Sequence, residues 1–304
     1  MQLTKEHFEP ISMDLRQAEE IKRPSLSFWA DVWRRLKNNK VAMASMIFIL
    51  VLVACAIFIP MISSNDYFTT DLSGKNKKPS AEHWFGTDDL GRDVFVRIWY
   101  GARISLEVGF AAAFIDLIVG VIWGGIAGFY GGKIDEIMMR IADILFAIPY
   151  LLVVILLMVV MEPGVGTIIV ALTITGWIGM ARIVRGQIMQ LKAQEFVLAA
   201  RSLGADNSRL IFKHLVPNAL GPIIVTLSLT VPTAIFTESF LSFIGLGVAA
   251  PIASWGTMSA EGLPAMKYFP WRLMFPAIFI SITMLAFNLF GDGLRDAVDP
   301  RLRK

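Results

Sequence analysis

Residues 195 to 217 read Glu195-Phe-Val-Leu-Ala-Ala-Arg-Ser-Leu-Gly204-Ala-Asp-Asn-Ser-Arg-Leu-Ile-Phe-Lys-His-Leu-Val-Pro217, a charged segment between two long apolar ones. Two adjacent alanines, Ala199 and Ala200, let another surface approach a helix closely. Gly204 allows a sharp bend because it has no Cβ, and Pro217 marks the start of the next apolar segment. The pattern predicts a bent loop on which a partner protein docks.

The composition is that of an integral membrane protein. Of the 304 residues, 55% are hydrophobic and only 17% are charged, which is too apolar for a soluble domain of this size. The net charge of +3 comes from basic residues that flank apolar runs, so it predicts contact with a membrane surface and not with nucleic acid. The single cysteine, Cys55, lies in the first apolar run, so no disulfide can form within the chain.

Six apolar runs predict an all-α integral membrane protein with six transmembrane helices. A helix needs about 20 apolar residues to cross the hydrocarbon core. The spans are expected at residues 41–62, 104–129, 141–161, 164–181, 215–241 and 273–291. They form one domain, residues 41–304, in which residues 182–214 connect the fourth span to the fifth. Residues 1–40 precede this domain.

Basic residues cluster before the first span, in the 182–214 connection and at the C-terminus. They are Lys22, Arg23, Arg34, Arg35, Lys37 and Lys40; Arg182, Arg185, Lys192, Arg201, Arg209 and Lys213; and Arg295, Arg301, Arg303 and Lys304. By the positive-inside rule, both termini and the connection are cytoplasmic, and residues 63–103 and 242–271 lie outside.

The end of the cytoplasmic N-terminal segment predicts an amphipathic helix at the membrane interface. Trp29, Val32, Trp33 and Leu36 fall on one helical face of residues 24–40, with basic residues available to the other. Such a helix either anchors the chain to lipid or wraps around a partner subunit.

Three glycines, Gly120, Gly124 and Gly128, form a small-residue stripe that allows close helix contact, either within this chain or with a partner. Three acidic residues lie in apolar runs, where a charge costs about 2.5–3.5 kcal/mol on insertion scales. Asp116, Asp143 and Glu238 are therefore candidates for the lining of a translocation path, unless they satisfy neighbouring groups in the protein.

Asp143 also has a structural interpretation. Arg140 lies one helical turn earlier and can pair with it. Pro149, a few residues further on, is expected to kink the third span because it removes a backbone donor from mid-helix.

The sequence contains no pattern for chemistry of its own. There is no G-x-x-x-x-G-K-[ST] phosphate loop, no H-E-x-x-H zinc motif and no G-x-S-x-G nucleophile elbow. We therefore predict no catalytic or metal-binding residue and no cofactor bound by this chain. Asp88, Asp89 and Asp93 follow Gly86 in a glycine-bracketed turn that suits a tight loop, a docking surface or, less well, a cation site.

Several blocks resemble the permeases of ABC importers, in particular the C-type subunit of the oligopeptide and dipeptide branch. The loop around Ala199, Ala200 and Gly204 resembles the EAA loop of that family. The other blocks are Asn38 to Ala44, His83 to Asp93, Gly101 to Leu106, Met180 to Gly186, Glu238 to Gly247, Ser254-Trp255-Gly256, and Gly291 to Asp296 with Asp299-Pro300.

The resemblance implies a type I ABC importer permease in a bacterial plasma membrane. The expected partners are a second permease subunit, two ATPase subunits that hold ATP and Mg²⁺, and an extracellular peptide-binding protein. The residues expected to couple this chain to the ATPase are Glu195, Leu198, Ala199, Ala200, Gly204, His214 and Pro217. Leu198 stands where the family has the glutamate of its EAA pattern, and Glu195, one turn earlier, can take over the polar contact.

Two other functions stay open at the level of sequence. Permeases for nickel or other small solutes share these blocks, so the substrate is not settled between peptides and such solutes. A self-sufficient secondary transporter would show repeated halves around broken helices, and no such repeat is visible in the sequence.

Overall fold

The computed structural model describes residues 27–63 and 65–299. The predictions for both chain ends, including Lys22, Arg23, Arg301, Arg303 and Lys304, fall outside the described residues. Within those residues all regular structure is helical, apart from one isolated bridge between Thr87 and Asp93. The all-α fold class is therefore confirmed.

Ten helices are numbered here in chain order. They are α1 (Phe28–Asn38), α2 (Lys40–Ile62), α3 (Val94–Tyr130), α4 (Gly132–Ala147), α5 (Tyr150–Met161), α6 (Val165–Leu191), α7 (Glu195–Ser202), α8 (Leu220–Phe243), α9 (Trp255–Gly262) and α10 (Trp271–Val298). Short helical turns occupy Leu72–Gly74 and Leu263–Ala265, and three contiguous helical pieces, Asn207–Arg209, Leu210–Leu215 and Val216–Asn218, lead into α8.

Five of these helices are long and apolar enough to cross a membrane: α2, α3, α6, α8 and α10. The pair α4 and α5 adds a sixth crossing if the two helices form one span. Large apolar side chains along α2, such as Ile47, Leu50 and Val51, remain more than half exposed. These helices give the protein a lipid-facing surface.

The third predicted span, residues 141–161, is not one kinked helix. Helices α4 and α5 meet at an angle of 80°. The break falls where predicted, because Pro149 cannot donate a backbone hydrogen bond and disfavours helical geometry at the residue before it. Ile148 accordingly has an extended backbone, with φ −71° and ψ 128°.

Helix α3 is much longer than the span predicted at 104–129. The Asp93 side chain caps its first turn by accepting a hydrogen bond from the Val96 backbone N–H (3.1 Å). Its 37 residues measure about 55 Å, well beyond the roughly 30 Å hydrocarbon core. Arg97 and Arg103 lower the hydropathy of its first turns, so the apolar run indicated only the part of the helix that begins at residue 104.

Helix α1 packs against the bundle by one edge of its predicted apolar face. Val32 and Leu36 are buried against residues of α10 such as Leu294. Trp29 and Trp33 remain nearly half exposed. The apolar face of α1 is thus buried against the rest of the chain at Val32 and Leu36, and its tryptophan edge stays exposed.

The core of the bundle lies where α2, α3, α8 and α10 meet. Leu52, Leu106, Ile235, Trp255 and Phe287 belong to one buried cluster that joins these four helices and α9. A second cluster extends along α3 and α6 to the residue 195–217 segment, so the segment is seated on the bundle.

Candidate functional site

The loop that connects α6 to α8 is bent at Gly204. Helix α7 ends as the Leu203 N–H donates to the Ala199 carbonyl (3.1 Å) and the Ala205 N–H donates to the Ala200 carbonyl (3.1 Å). Gly204 has φ +83°, a left-handed conformation that L-residues with a Cβ adopt at a cost. No atom lies within 4 Å of the position its Cβ would take, so the backbone conformation alone calls for glycine.

Helix α7 rests on the bundle through Val197 and the partly buried Ala200, and it exposes side chains on its other side. Val197 is buried in the cluster formed by α3, α6 and the Leu210–Leu215 segment. Leu198 is 54% exposed and Leu203 is 89% exposed. Apolar side chains this exposed, next to the exposed Ala199, make a small apolar surface that nothing in the chain covers within the described residues.

The base of this loop is held by Lys192. Its ammonium group donates to the carbonyls of Gly128 (2.9 Å) and Phe129 (3.3 Å), close to the C-terminal end of α3. A cation there also suits the helix dipole. The loop is therefore tied to α3 as well as to α6, which carries it.

The other predicted loop residues lie around the same turn but not in one patch. Glu195 is exposed in the first turn of α7, and Pro217 is exposed in the short Val216–Asn218 turn. His214 is half-buried, and its carbonyl accepts a hydrogen bond from the Asn218 side chain (2.6 Å). The apolar contact surface thus belongs to Leu198, Ala199 and Leu203.

The glycine stripe of α3 packs against α6 of the same chain. A Cβ on Gly124 would overlap the Ala181 carbonyl oxygen, and one on Gly128 would lie 2.7 Å from the Arg185 carbonyl oxygen. Gly120 is similarly closed off by Met180. The sequence left open whether this stripe contacts the same chain or a partner, and the structure shows contact within the chain.

Two of the three acidic candidates are occupied by protein groups. Asp143 pairs with Arg182 of α6 (2.7 Å), so the predicted pairing with Arg140 is wrong; the tertiary neighbour wins over the helical one. Glu238 is fully buried and accepts hydrogen bonds from the hydroxyls of Ser105 and Ser242, both at 2.8 Å. Through these serines Glu238 of α8 is joined to α3 and to the next turn of its own helix.

Asp116 differs, because it lines a cavity of about 500 Å³ between α3, α5, α6 and α8. We call it the threonine-lined cavity, since Thr175, Thr226, Thr230, Thr233 and Thr237 line it together with Tyr150 and Gly176. Asp116 is 5% exposed, yet its Oδ1 atom and the Tyr150 hydroxyl make no hydrogen bond with any described residue.

The threonine-lined cavity continues toward the loop end of the bundle. A second cavity of about 580 Å³ lies beside Gln187, Asn218 and Arg295. Ile183 and Thr226 line both cavities. The two cavities are therefore neighbours along α6 and α8.

At the end of the bundle opposite the residue 195–217 segment, ion pairs hold the Gly86–Asp93 loop in place. Asp88 pairs with both Arg92 (2.7 Å) and the buried Arg97, and Glu261 of α9 meets both arginines at 3.3 and 3.0 Å. Burial works to raise the pKa of Asp88, but the attraction of Arg97 and Arg92 outweighs it, so the pKa lies below its ordinary 3.8.

The remaining carboxylates of that loop are also occupied. Asp93 accepts from the His83 ring (2.8 Å) besides capping α3, and Asp89 pairs with Arg272 of α10 (2.9 Å). No cluster of three potential metal ligands occurs among the described residues. The structure thus assigns these aspartates to holding the loop on α3, α9 and α10.

The sequence did not predict the ion-pair partners of the aspartates in the Gly86–Asp93 loop. It also did not predict the row of four α8 threonines that lines the cavity, which we call the threonine row. Arg97, Arg272 and Glu261 lie far apart in sequence, so no local pattern joins them. The threonine row was visible in principle, because Thr226, Thr230, Thr233 and Thr237 recur at helical spacing. Tyr150 gave no signal, since only the bend before α5 brings it to the cavity.

Comparison with known proteins gives consistent matches along the chain. The family of binding-protein-dependent transport system inner membrane components matches residues 120–304. The N-terminal transmembrane domain of oligopeptide transport permease C matches residues 27–79.

Two relatives from Bacillus subtilis strain 168 are similar over nearly their whole length. The oligopeptide transport system permease protein OppC is 63% identical over 302 residues, which cover 99% of each chain. The dipeptide transport system permease protein DppC is 60% identical over 290 residues, which cover 95% of this chain and 91% of that one.

A solved structure shares the fold. An inward-facing conformation of the MetNI methionine ABC transporter aligns with a TM-score of 0.55 at 19% identity, over 66% of this chain and 94% of that one. At this level of identity the likeness concerns the arrangement of helices alone.

Proposed function

The chain belongs to the family of binding-protein-dependent transport system inner membrane components, and we propose that it is the permease subunit of an ATP-driven importer that takes up oligopeptides or dipeptides across the bacterial plasma membrane. The similarity to oligopeptide and dipeptide permeases over nearly the whole chain supports the peptide substrate. In this proposal the chain forms part of the pore, and separate subunits hydrolyse ATP.

The observation that carries the coupling part of the proposal is the bent loop with its uncovered apolar surface. Leu198 and Ala199 stand on α7 and Leu203 directly follows it, while Val197 on the other side of this helix is buried in the bundle. A groove on an ATPase subunit would cover this surface and gain from burying it. Lys192 and the packing of Val197 would pass the motion of that subunit to α3 and α6.

The proposed complex contains this chain, a second permease subunit, two ATPase subunits that bind ATP and Mg²⁺, and an extracellular peptide-binding protein. Both termini and the residue 195–217 segment face the cytoplasm, which agrees with the basic residues of that region. ATP drives the cycle if it binds one state of the complex better than the other, because a ligand shifts a conformational equilibrium only by its differential affinity.

ATP hydrolysis by the copurified complex in lipid tests this proposal. The binding protein is present in all three assays. It is added alone, together with a mixed peptide pool, or together with nickel. We expect stimulation by the peptide pool only. Stimulation by nickel alone would assign the chain to uptake of that metal, and failure of any ATPase subunit to copurify would point to a self-sufficient transporter.

A further inference from the structure

The Asp116 carboxyl group occupies a recess made for it. A Cβ at position 176 would overlap its carboxylate, so Gly176 of α6 leaves the space that the carboxyl group fills. Asp116 is 5% exposed and lines the threonine-lined cavity, and its Oδ1 atom is buried and unpaired among the described residues. A buried carboxylate normally accepts hydrogen bonds from protein groups, as Glu238 does. No described residue supplies that donor to the Oδ1 atom of Asp116, so a donor carried by a molecule in the cavity would complete its hydrogen bonding once the carboxyl group turns toward it.

The wall opposite presents hydrogen-bond acceptors. In α8, each of the four threonine hydroxyls donates its proton to a backbone carbonyl of the preceding turn, at 2.8 to 2.9 Å: Thr226 to Pro222, Thr230 to Thr226, Thr233 to Leu229 and Thr237 to Thr233. With their protons used in this way, the hydroxyl oxygens have only lone pairs left for a ligand.

The threonine-lined cavity therefore suits a molecule rich in donors. No lysine or arginine is found among its lining residues in the part of the chain that the structure describes, so no basic side chain of this set neutralises Asp116. The Tyr150 hydroxyl, also unpaired, adds one group that can donate or accept. A positively charged group with several N–H donors matches this lining.

A peptide's N-terminal ammonium group has that chemistry, and its backbone N–H groups continue it. Thr226 and Thr237 are separated by 11 residues of α8, or about 16 Å along the helix. An extended tripeptide measures about 10 Å and fits along this row. Every peptide has this terminal ammonium group, whatever its amino-acid sequence. A site that binds the ammonium group can therefore accept peptides of many sequences.

We propose that the threonine-lined cavity binds the peptide in transit, with the Asp116 carboxylate receiving its N-terminal ammonium group and the threonine oxygens accepting from its backbone N–H groups. This inference rests on the proposed function, because it takes the transported molecule to be a peptide. It adds to that function a recognition site in the membrane part of the importer.

The test measures equilibrium binding of tritiated trialanine to the complete ATP-free complex in lipid nanodiscs, without binding protein. Unlabelled trialanine and N-acetyl-trialanine compete for the site. We expect the acetylated peptide, which lacks the charge, to bind about tenfold or more weakly, as for loss of one charge-assisted hydrogen bond. Asp116→Asn should weaken trialanine binding to the level of the acetylated peptide and leave the latter unchanged.

Two further variants separate a binding role from a structural one. Asp143→Asn removes a carboxylate that pairs with Arg182 and lies outside the cavity lining, so it should keep the wild-type preference. Tyr150→Phe removes only the unpaired hydroxyl and should weaken trialanine binding less than Asp116→Asn does. Stimulation of ATP hydrolysis by the loaded binding protein, measured in each variant, shows that the complex is assembled.

The proposal is overturned if the wild-type complex binds both peptides equally or neither, or if Asp116→Asn keeps the preference for the free amine. It is also overturned if Asp116→Asn prevents copurification of the second permease subunit, because the carboxylate would then serve that contact. Failure of the wild-type complex to take up peptide with its binding protein would instead contradict the proposed function. Uptake with an unchanged preference in Asp116→Asn would contradict the site alone.

Discussion

Replacing Gly124 by alanine tests the packing of α3 on α6, the contact that organises the bundle. The new Cβ would overlap the Ala181 carbonyl oxygen and lie 3.0 Å from both the carbonyl carbon and the Cα of Ala181. Carbon atoms in contact normally lie about 3.5–4.0 Å apart, so the two helices must separate by roughly half an ångström or more. The obstructing atoms are helix backbone and cannot rotate away.

Gly125→Ala is the matched control, because it places the same methyl group one residue further along the same helix. There the nearest atom is the Ile211 Cγ2 at 3.5 Å, an ordinary contact. Alanine in mid-helix is favoured over glycine by about 0.5–1 kcal/mol, so Gly125→Ala should be neutral or stabilising. Overpacking costs about 1–3 kcal/mol, and this should be the difference between the two variants.

The measurement is the fraction of a fluorescently tagged chain that stays in the monodisperse complex after stepwise heating in mild detergent. We expect the midpoint to fall for Gly124→Ala and to hold or rise for Gly125→Ala. Equal midpoints for the two variants would refute the reasoning. Loss of the second permease subunit from Gly124→Ala, at unchanged thermal stability of the chain, would show instead that the stripe serves the contact between subunits.

Three other predictions concern the loops and the buried acid. Gly204→Leu, strained at φ +83° by about 1–2 kcal/mol, should leave membrane insertion intact but lower ATP-driven uptake, whereas Gly204→Asn should retain more of it; full uptake by the leucine variant would remove Gly204 from the mechanism. Glu238→Ala should destabilise the chain by about 1–3 kcal/mol for each serine hydroxyl left unpaired, in the same heating assay, and Glu238→Gln by less; equal losses would mean that the charge itself is required. Asp88→Asn should cost about 3–5 kcal/mol at pH 7, where the carboxylate pairs with Arg92 and Arg97. Because the pKa of Asp88 lies below 3.8 in the folded chain, its stabilisation is present above that pH and is lost as the pH falls through the lowered value. The stability gap between wild type and Asp88→Asn should therefore narrow below pH 3.8, and a constant gap down to pH 2 would contradict the pairing.

What the sequence predicted well depends on local backbone chemistry and hydropathy. The left-handed bend at Gly204 follows from the residue type, and the break at Pro149 follows from its missing N–H. The apolar runs located the membrane helices for the same reason, since the length of a hydrophobic stretch is a local property. The prediction of a kink gave no angle, because the 80° between α4 and α5 also depends on how α5 packs on α6.

The partners of the acidic residues could not be predicted, because each depends on which helices become neighbours. Asp143, Glu238 and Asp116 look alike in sequence, as single acids in apolar runs. The fold gives the first an arginine from α6 and the second a set of serines from two helices. Only the third is left without a described partner for its Oδ1 atom. The sequence shows that each of the three carboxylates is unfavourable in an apolar segment. Only the tertiary structure shows which groups stabilise each of them.

The same helix pair connects the exposed loop to the threonine-lined cavity. Gly176 of α6 and Asp116 of α3 form one wall of the cavity, and Lys192 ties the end of α6 to the last carbonyls of α3, about 24 Å further along the helix. The backbones of α3 and α6 are in close contact at Gly124 and Gly128, so we expect the two helices to move together over this length. Val197 of α7 lies in one buried cluster with residues of α3 and α6 and also with Ile223 of α8, so we expect a displacement of α7 to act on both walls of the cavity, the one that carries Asp116 and the one that carries the threonine row. If ATP binding changes the distance between Asp116 and the threonine row, the contacts of both with the peptide change in the same step. The affinity of the threonine-lined cavity for the peptide should then differ between the ATP-free and ATP-bound complex.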